Sequence, residues 1–339
     1  MDTLAFLNQV KIIKIGGGLL PDALAYGKIA ESLAQHQRAT GAHLVVPISA
    51  AKGVTDMRIA ESKRLFPDNP WQQAEYIAQG EIESAALLTA RLREIGVVVQ
   101  MITAKDIGLE AWAGDDPFNA HFSRVNAGNL IHLAWQTSIT VMAGYFGLDR
   151  GRIVLLGRDA TDLIAVILAG ALGVPCDLCK ESGAIFALDP NMVPGRLPLL
   201  VSRLSHYQSF LFAESGHQFV MAGCLRLAER LDVTIRLLPN PTAKDAWQVK
   251  AVIGQEPATS GLLVGVKKDS HLDGIPSACV TVIELGEPRL NGQLKRITET
   301  INPAAVVRVQ DNQTKIYLSP EAVAPLVGAL AKELGLLAP

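Results

Sequence analysis

The segment Val10-Lys11-Ile12-Ile13-Lys14-Ile15-Gly16-Gly17-Gly18 decides how the rest of the chain is read. Its first six residues are rich in β-branched side chains and predict a short strand. Three glycines close it, and Pro21 stands at the first turn of a helix-like stretch running to about residue 39, where a missing N–H costs no hydrogen bond. Strand, glycine turn and helix in that order form a backbone concavity. With no Cβ in the way, peptide N–H groups can turn toward an anionic ligand. Lys14, at the strand end, adds a compact positive charge suited to a transferring phosphoryl group. The lysine precedes the glycines, so this is not a Walker loop, and the spacing is not the G-x-G-x-x-G of a dinucleotide fold. Taken alone, the segment fits either a phosphate cradle or a plain structural turn.

Working outward, the same alternation repeats. Strand-like runs fall at 44–48, 97–102, 139–143, 153–156 and 233–238. Over 72–95, Ala74, Ile77, Ala78, Ile82, Ala85, Leu88, Leu92 and Ile95 recur at helical spacing. A second helix over 163–172 is apolar on nearly all sides and stops at Gly173, with Pro175 beyond. This pattern predicts an α/β fold, a mostly parallel open sheet sandwiched by helices. The Pro/Asn/Thr/Lys cluster at 239–244 marks a boundary, giving a first domain of 1–245 and a second of 246–339. The second reads as a small α+β module: strands at 261–266 and 278–285, a helix at 293–301, a hairpin around Asp311-Asn312, and a closing helix at 320–334. That last helix has Val323, Leu326, Val327, Leu330 and Leu334 on its inner face.

Composition narrows the function classes. The chain has 339 residues, with 31 Lys+Arg against 33 Asp+Glu for a net charge of −2, and 49% are apolar. That apolar share supports a folded core, and the near-neutral balance argues against a nucleic-acid partner. The longest uncharged apolar run, 163–174, is shorter than the roughly 20 residues a membrane span requires. The first ten residues carry one acid and no base, unlike a secretory start, so a cytoplasmic protein is expected. Cys176 and Cys179 form a lone C-x-x-C with no second pair, read as buried thiols rather than a metal site. The seven histidines are scattered, and no G-x-S-x-G elbow is present.

Three further stretches carry chemistry-bearing residues. Ser49-Ala50-Ala51-Lys52-Gly53-Val54-Thr55-Asp56 follows a strand; its hydroxyls could hold a polar substrate, or Ser49 or Thr55 could cap a helix. Gly80-Glu81 lies inside a helix, where a glycine costs about 1 kcal/mol against alanine and so invites a packing or ligand reason. Glu81 could bind a substrate ammonium or be a solvated glutamate. Gly157-Arg158-Asp159-Ala160-Thr161-Asp162 joins a strand to the buried helix. Asp159 or Thr161 could cap that helix, Arg158 could grip a carboxylate, and Asp162 would stand at the mouth of the sheet.

In order along the chain, these motifs resemble the amino acid kinase superfamily, and within it the aspartate kinases. The family's Lys-x-Gly-Gly is matched by Lys14, Gly16 and Gly17. Its Ser-Ala turn ending in Gly-Val-Thr-Asp is matched by Ser49, Ala50 and 53–56, and its helix Gly-Glu by Gly80-Glu81. Gly157-Arg158 with Thr161-Asp162 matches part of Gly-Arg-Gly-Gly-Ser-Asp, and Gly-Tyr-Phe-Gly at 144–147 is similar to Gly-Phe-Ile-Gly. Gly183, Asp189-Pro190 and Val193-Pro194 resemble the Asp-Gly-Val-Tyr-x-x-Asp-Pro segment. The module at 246–339 resembles an ACT domain, with loop 286–292 where such domains bind ligands.

The resemblance implies phosphoryl transfer from ATP, with magnesium, to the side-chain carboxylate of aspartate or a close analogue, giving an acyl phosphate. Lys14 would stabilise the transferring group and Asp162 would organise the lysines and glycines around it. Arg158 and Glu81 would hold the α-carboxylate and α-ammonium, and Ser49 and Thr55 would line the pocket. Gly16, Gly17, Gly18, Gly157, Thr161 and Gly183 would face the nucleotide phosphates, and Lys180, which is not part of the family pattern, is expected to replace there the charge lost at Gln218. No residue is assigned as a metal ligand, and a homodimer or higher homo-oligomer is expected. The chain departs from the pattern at Asp159, where a glycine is expected; at Lys180, within the family's Thr-Asp-Val-Asp-Gly; and at Gln218, where the family has a nucleotide-contacting lysine. The alternative is a non-catalytic, amino-acid-binding relative without nucleotide competence.

Overall fold

The structure, a computed structural model, describes residues 3–217, 219–272, 275–286 and 290–338. It divides into two compact units: the chain up to Gly183 together with Leu227–Val252, and Ala184–Arg226 together with Ile253 onward.

In the first unit the sheet strands Ile235–Leu238, Cys176–Cys179, Val10–Ile15, His43–Ile48, Ile139–Ala143 and Val99–Ile102 lie side by side in that order. The six strands from Ile235–Leu238 across to Val99–Ile102 pair in parallel. Ile12, Ile13 and Ile15 are all buried, as expected of a strand covered on both faces. The two neighbours of this central strand are reached by separate crossovers. Helix Ala23–Thr40 carries the chain to His43–Ile48 on one side, while helix Ala160–Leu172 delivers it to Cys176–Cys179 on the other. Ile15 lies opposite both Ile48 and Cys179, so the three strands end level. A split of this kind opens a crevice at the carboxyl ends of the strands, where open α/β sheets bind ligands.

Several local expectations change. Pro21 is not in the first helical turn: the helix begins at Ala23, capped by Asp22, whose side chain accepts from Leu24 and Ala25 N–H at 2.9 and 3.0 Å. The Ser49 stretch leads into a 12-residue helix, Val54–Leu65, which Gly53 enters through a left-handed conformation (φ 80°) with no side-chain cap. Neither Ser49 nor Thr55 is therefore that cap. A second sheet of four short strands, Glu110–Trp112, His121–Arg124, Phe146–Asp149 and Arg152–Leu155, takes in the run read at 153–156. Cys176 and Cys179 are buried thiols, as read from the sequence.

The second unit holds an antiparallel sheet in the order Leu262–Leu272, Ile275–Glu284, Gln313–Leu318, Val306–Gln310, with helices Asn291–Ile301 and Val323–Glu333. That order is the split β-α-β arrangement entered at its second strand, which fits the ACT-like reading. Leu326, Val327 and Leu330 seal the closing helix onto Val264, Val280 and Ile316, each full burial contributing about 1.5–3 kcal/mol. Part of loop 286–292 lies outside the described residues. The domain boundary also differs from the one expected at 245. Residues 184–226 join the second unit because their apolar side chains are spent there. Ala187, Leu188 and Val193 lie in its core, and Val264 N–H donates to Ala187 O at 2.7 Å. Among the described residues, no helix is long and apolar enough to cross a membrane.

Candidate active site

Lys14 rises from the end of strand Val10–Ile15 with its side chain 7% exposed, and its Nζ lies 2.7 Å from Asp162 Oδ1. Asp162 sits in the first turn of helix Ala160–Leu172 and is wholly buried. Its second oxygen, Oδ2, accepts from Lys180 Nζ at 2.5 Å. Lys180 immediately follows strand Cys176–Cys179, and its N–H extends the ladder to Leu238 O at 3.0 Å. Two ammonium groups from adjacent strands thus share one carboxylate. Lys180, 27% exposed, is the member that opens to solvent. Burial would raise the Asp162 pKa, but the attraction of Lys14 and Lys180 outweighs it and holds the carboxyl down at about 2. Burial lowers the Lys14 pKa, opposed by Asp162 and reinforced by Lys180.

The glycine turn borders this cluster. A Cβ on Gly16 would stand 3.2 Å from Lys14 Nζ, and one on Gly17 only 2.5 Å from Ala50 O. Gly17 is therefore required by the backbone of the neighbouring loop. A Cβ on Gly18 would meet Glu181 Oε1 at 2.7 Å, and that same oxygen lies 3.7 Å from Lys52 Nζ.

A second group of residues gathers beside it. Ser49 N–H donates to Ile15 O at 3.1 Å, seating the Ser49 loop on the central strand. Ala50 N–H donates to Glu81 Oε1 at 3.3 Å, and the Thr55 hydroxyl bonds the same carboxylate. Glu81 is 2% exposed, and its Oε2 has no partner among the described residues. Burial pushes its pKa up to about 7 despite those hydrogen bonds. Gly80 explains the Gly-Glu pair: a Cβ there would press on Ala50 Cβ at 3.1 Å and Val54 Cγ1 at 3.2 Å. The missing side chain lets helix Pro70–Glu94 approach the Ser49 loop and bring Glu81 onto Ala50.

Arg158 stands at the rim, exposed, 3.7 Å from Asp56. Gly157 before it has φ 91°. Asp159 occupies the N-cap position in a left-handed conformation (φ 56°) and makes no capping hydrogen bond, so the expected cap is absent there. Thr161 does not cap either; it is buried with its side chain against Gly144, whose Cβ would lie 2.5 Å from Thr161 Cγ2. Gly183 (φ 61°) is required by Pro239, whose N would lie 2.2 Å from its Cβ. Lys14, Asp162, Lys180 and the three glycines therefore form one cluster, and Ser49, Thr55 and Glu81 a second. Around Thr161 and Gly183 the structure shows tight packing. Gln218 lies outside the described residues.

Two residues escaped the sequence reading. Arg58 is buried beside Glu81, its Nη2 2.6 Å from Glu83 Oε1; it lies on helix Val54–Leu65, beyond the turn read at 49–56. Tyr145 lies within a quoted motif but received no role, because a positive φ leaves no trace in residue type.

A parallel sheet with a topological split, and a cationic cluster beside a glycine turn at that split, define an α/β protein with a charged crevice at the carboxyl ends of its strands. The profile of the amino acid kinase family matches residues 9–238, and the chain belongs to that family. It is 29% identical over 244 residues to the aspartokinase of Thermus thermophilus, a match covering 70% of this chain and 58% of that relative. Against the aspartokinase of Mycobacterium tuberculosis it is 24% identical over 341 residues, covering 95% of this chain and 78% of the relative. In fold it is similar to E. coli aspartokinase III solved with aspartate and ADP, with a TM-score of 0.64 at 16% identity, covering 97% of this chain and 84% of that one.

Proposed function

We propose that this protein transfers the γ-phosphoryl group of ATP to the side-chain carboxylate of aspartate or a close analogue, releasing ADP and an acyl phosphate. The observation that carries the reading is the pair of ammonium groups, Lys14 and Lys180, sharing the buried Asp162 carboxylate beside the glycine turn. Phosphoryl transfer calls for positioning and charge neutralisation more than covalent chemistry from the protein. An ionised carboxylate acceptor needs no general base. Lys14 and Lys180 neutralise the oxygens of the group in flight, and Asp162 holds both lysines so that neither drifts when phosphate leaves. The glycine N–H groups of 16–18 face the nucleotide phosphates. Magnesium would be held mainly by the nucleotide's own phosphates, as is common for this ion where protein ligands are few, and would supply further charge neutralisation there. Glu81 holds the acceptor's ammonium, Ser49 and Thr55 line its pocket, and Arg158 meets a carboxylate from the rim.

The likeness to aspartokinases supports the choice of acceptor. A homodimer or higher homo-oligomer belongs to the same reading. Strand Val306–Gln310 is an outer edge of its sheet with Val306 and Val309 exposed, a surface that strand proteins commonly cover; light scattering on the purified chain tests it.

The experiment for the activity is a panel of amino acids with ATP, magnesium and hydroxylamine, which traps acyl phosphates as hydroxamates. The expected result is a hydroxamate with aspartate. Aspartate binding with no hydroxamate from any acid and no nucleotide-dependent thermal shift would replace this reading with a non-catalytic, amino-acid-binding one.

A further inference from the structure

Tyr145 joins the two loops of the site. Gly144 N–H donates to Ile48 O at 3.1 Å, next to Ser49, and Leu156 N–H donates to Tyr145 O at 3.0 Å, next to Gly157-Arg158. Between those anchors Tyr145 has φ 74°, a left-handed conformation that is costly for a bulky aromatic residue and that persists only where its surroundings impose it. The imposition is visible at Gly144, where a Cβ would meet Thr161 Cγ2 at 2.5 Å and Ile48 O at 2.9 Å. The chain has no slack there, so Tyr145 takes the turn and is 7% exposed.

The charged groups acting on its hydroxyl are Glu81 of the second cluster, the rim pair Arg158 and Asp56, and Asp159. The hydroxyl has no hydrogen-bond partner among the described residues, yet it is not sealed from solvent. Burial, with those carboxylates, pushes its pKa up to about 12, so at neutral pH it is a donor. A buried phenol normally finds a partner, and a donor left open beside Glu81 and Arg158 lacks only a ligand.

We infer that Tyr145 is a specificity residue whose hydroxyl donates a hydrogen bond to a carboxylate oxygen of the bound acceptor, on the Arg158 side of the pocket. This rests on the amino-acid acceptor of the proposed function. The strained backbone fixes the phenol before the acceptor arrives, so little ordering is left for binding.

The test compares wild type with Tyr145→Phe, which keeps the ring, the φ and the packing; its melting temperature checks the fold. Two readouts are taken: hydroxamate kinetics with aspartate and ATP, and the aspartate-dependent rise in melting temperature. The expected result is a KM for aspartate about 10- to 100-fold higher, the range for losing a hydrogen bond to a charged group. The KM for ATP and kcat should change by less than about twofold, since the bond is made equally in ground and transition states. An unchanged KM for aspartate, or a loss falling on ATP instead, overturns the inference while the kinase reading stands. If no hydroxamate forms but wild type shows an aspartate shift that Tyr145→Phe loses, the kinase reading falls and the tyrosine stays. No aspartate shift and no hydroxamate in wild type retires both.

Discussion

Replacing Asp162 by asparagine removes the charge that two ammonium groups share and changes almost nothing else in size. Its carboxyl is held from 3.8 down to about 2, which at roughly 1.4 kcal/mol per pK unit corresponds to about 2–3 kcal/mol of native-state stabilisation. Because the folded pKa is depressed, that contribution is complete above about pH 4 and is lost as pH falls through about 2. Breaking a buried ion pair from one side costs more, about 3–5 kcal/mol, because it strands the remaining charge. Lys14 is the stranded group here, since Lys180 can swing toward water. At about 2–4 °C per kcal/mol for a unit of this size, Asp162→Asn should lower the melting temperature by about 6–20 °C near pH 7. Thermal unfolding from pH 2 to pH 7 then reads two things: the drop itself, and a variant lacking the wild-type loss of stability at the acid end. The Lys14→Met/Asp162→Asn double variant separates charge from packing. It should melt above Asp162→Asn alone while remaining inactive. Should the double variant be as unstable as the two single losses added, stranded charge is not the cause and the reasoning is wrong.

Other outcomes follow from the same geometry. Glu81 must be ionised to hold an ammonium, so kcat/KM for aspartate should fall about tenfold per pH unit below its pKa near 7; in Glu81→Gln that limb should vanish and the KM for aspartate should rise. Lys180→Ala should abolish the nucleotide-dependent thermal shift, which at a ligand concentration about 100 times Kd amounts to about 2.7 kcal/mol in wild type; an unaltered nucleotide affinity would remove Lys180 from the site. Gly144→Ala should cost about 1–3 kcal/mol on denaturant unfolding, because its Cβ would stand 2.5 Å from Thr161 Cγ2 and 2.9 Å from Ile48 O.

What could be read from residues alone was whatever left a pattern in residue type. The central strand, the long helix around Gly80 and the buried helix after Asp162 are periodic in apolar residues, and all three stand within two or three residues of where they were expected. Lys14 and Asp162 were paired by motif order, and they touch. Helix Val54–Leu65 escaped because only Arg58 and Ser62 are buried on it, so it has little apolar stripe to detect. The Asp159 cap was expected from residue type, but the left-handed backbone turns that carboxylate away from the helix N–H groups. Segment 184–226 was grouped by sequence proximity, whereas its membership is decided by long-range packing that no local window contains.

That segment bears on how the protein can be engineered. The polypeptide passes from one unit to the other three times, after Gly183, after Arg226 and after Val252. The carboxyl-terminal module is consequently not a detachable cassette. Cutting at 252 would remove the partners of Ala187, Leu188 and Val193 and leave an oily, half-built layer attached to the first unit. Any exchange of this module would have to move both pieces together.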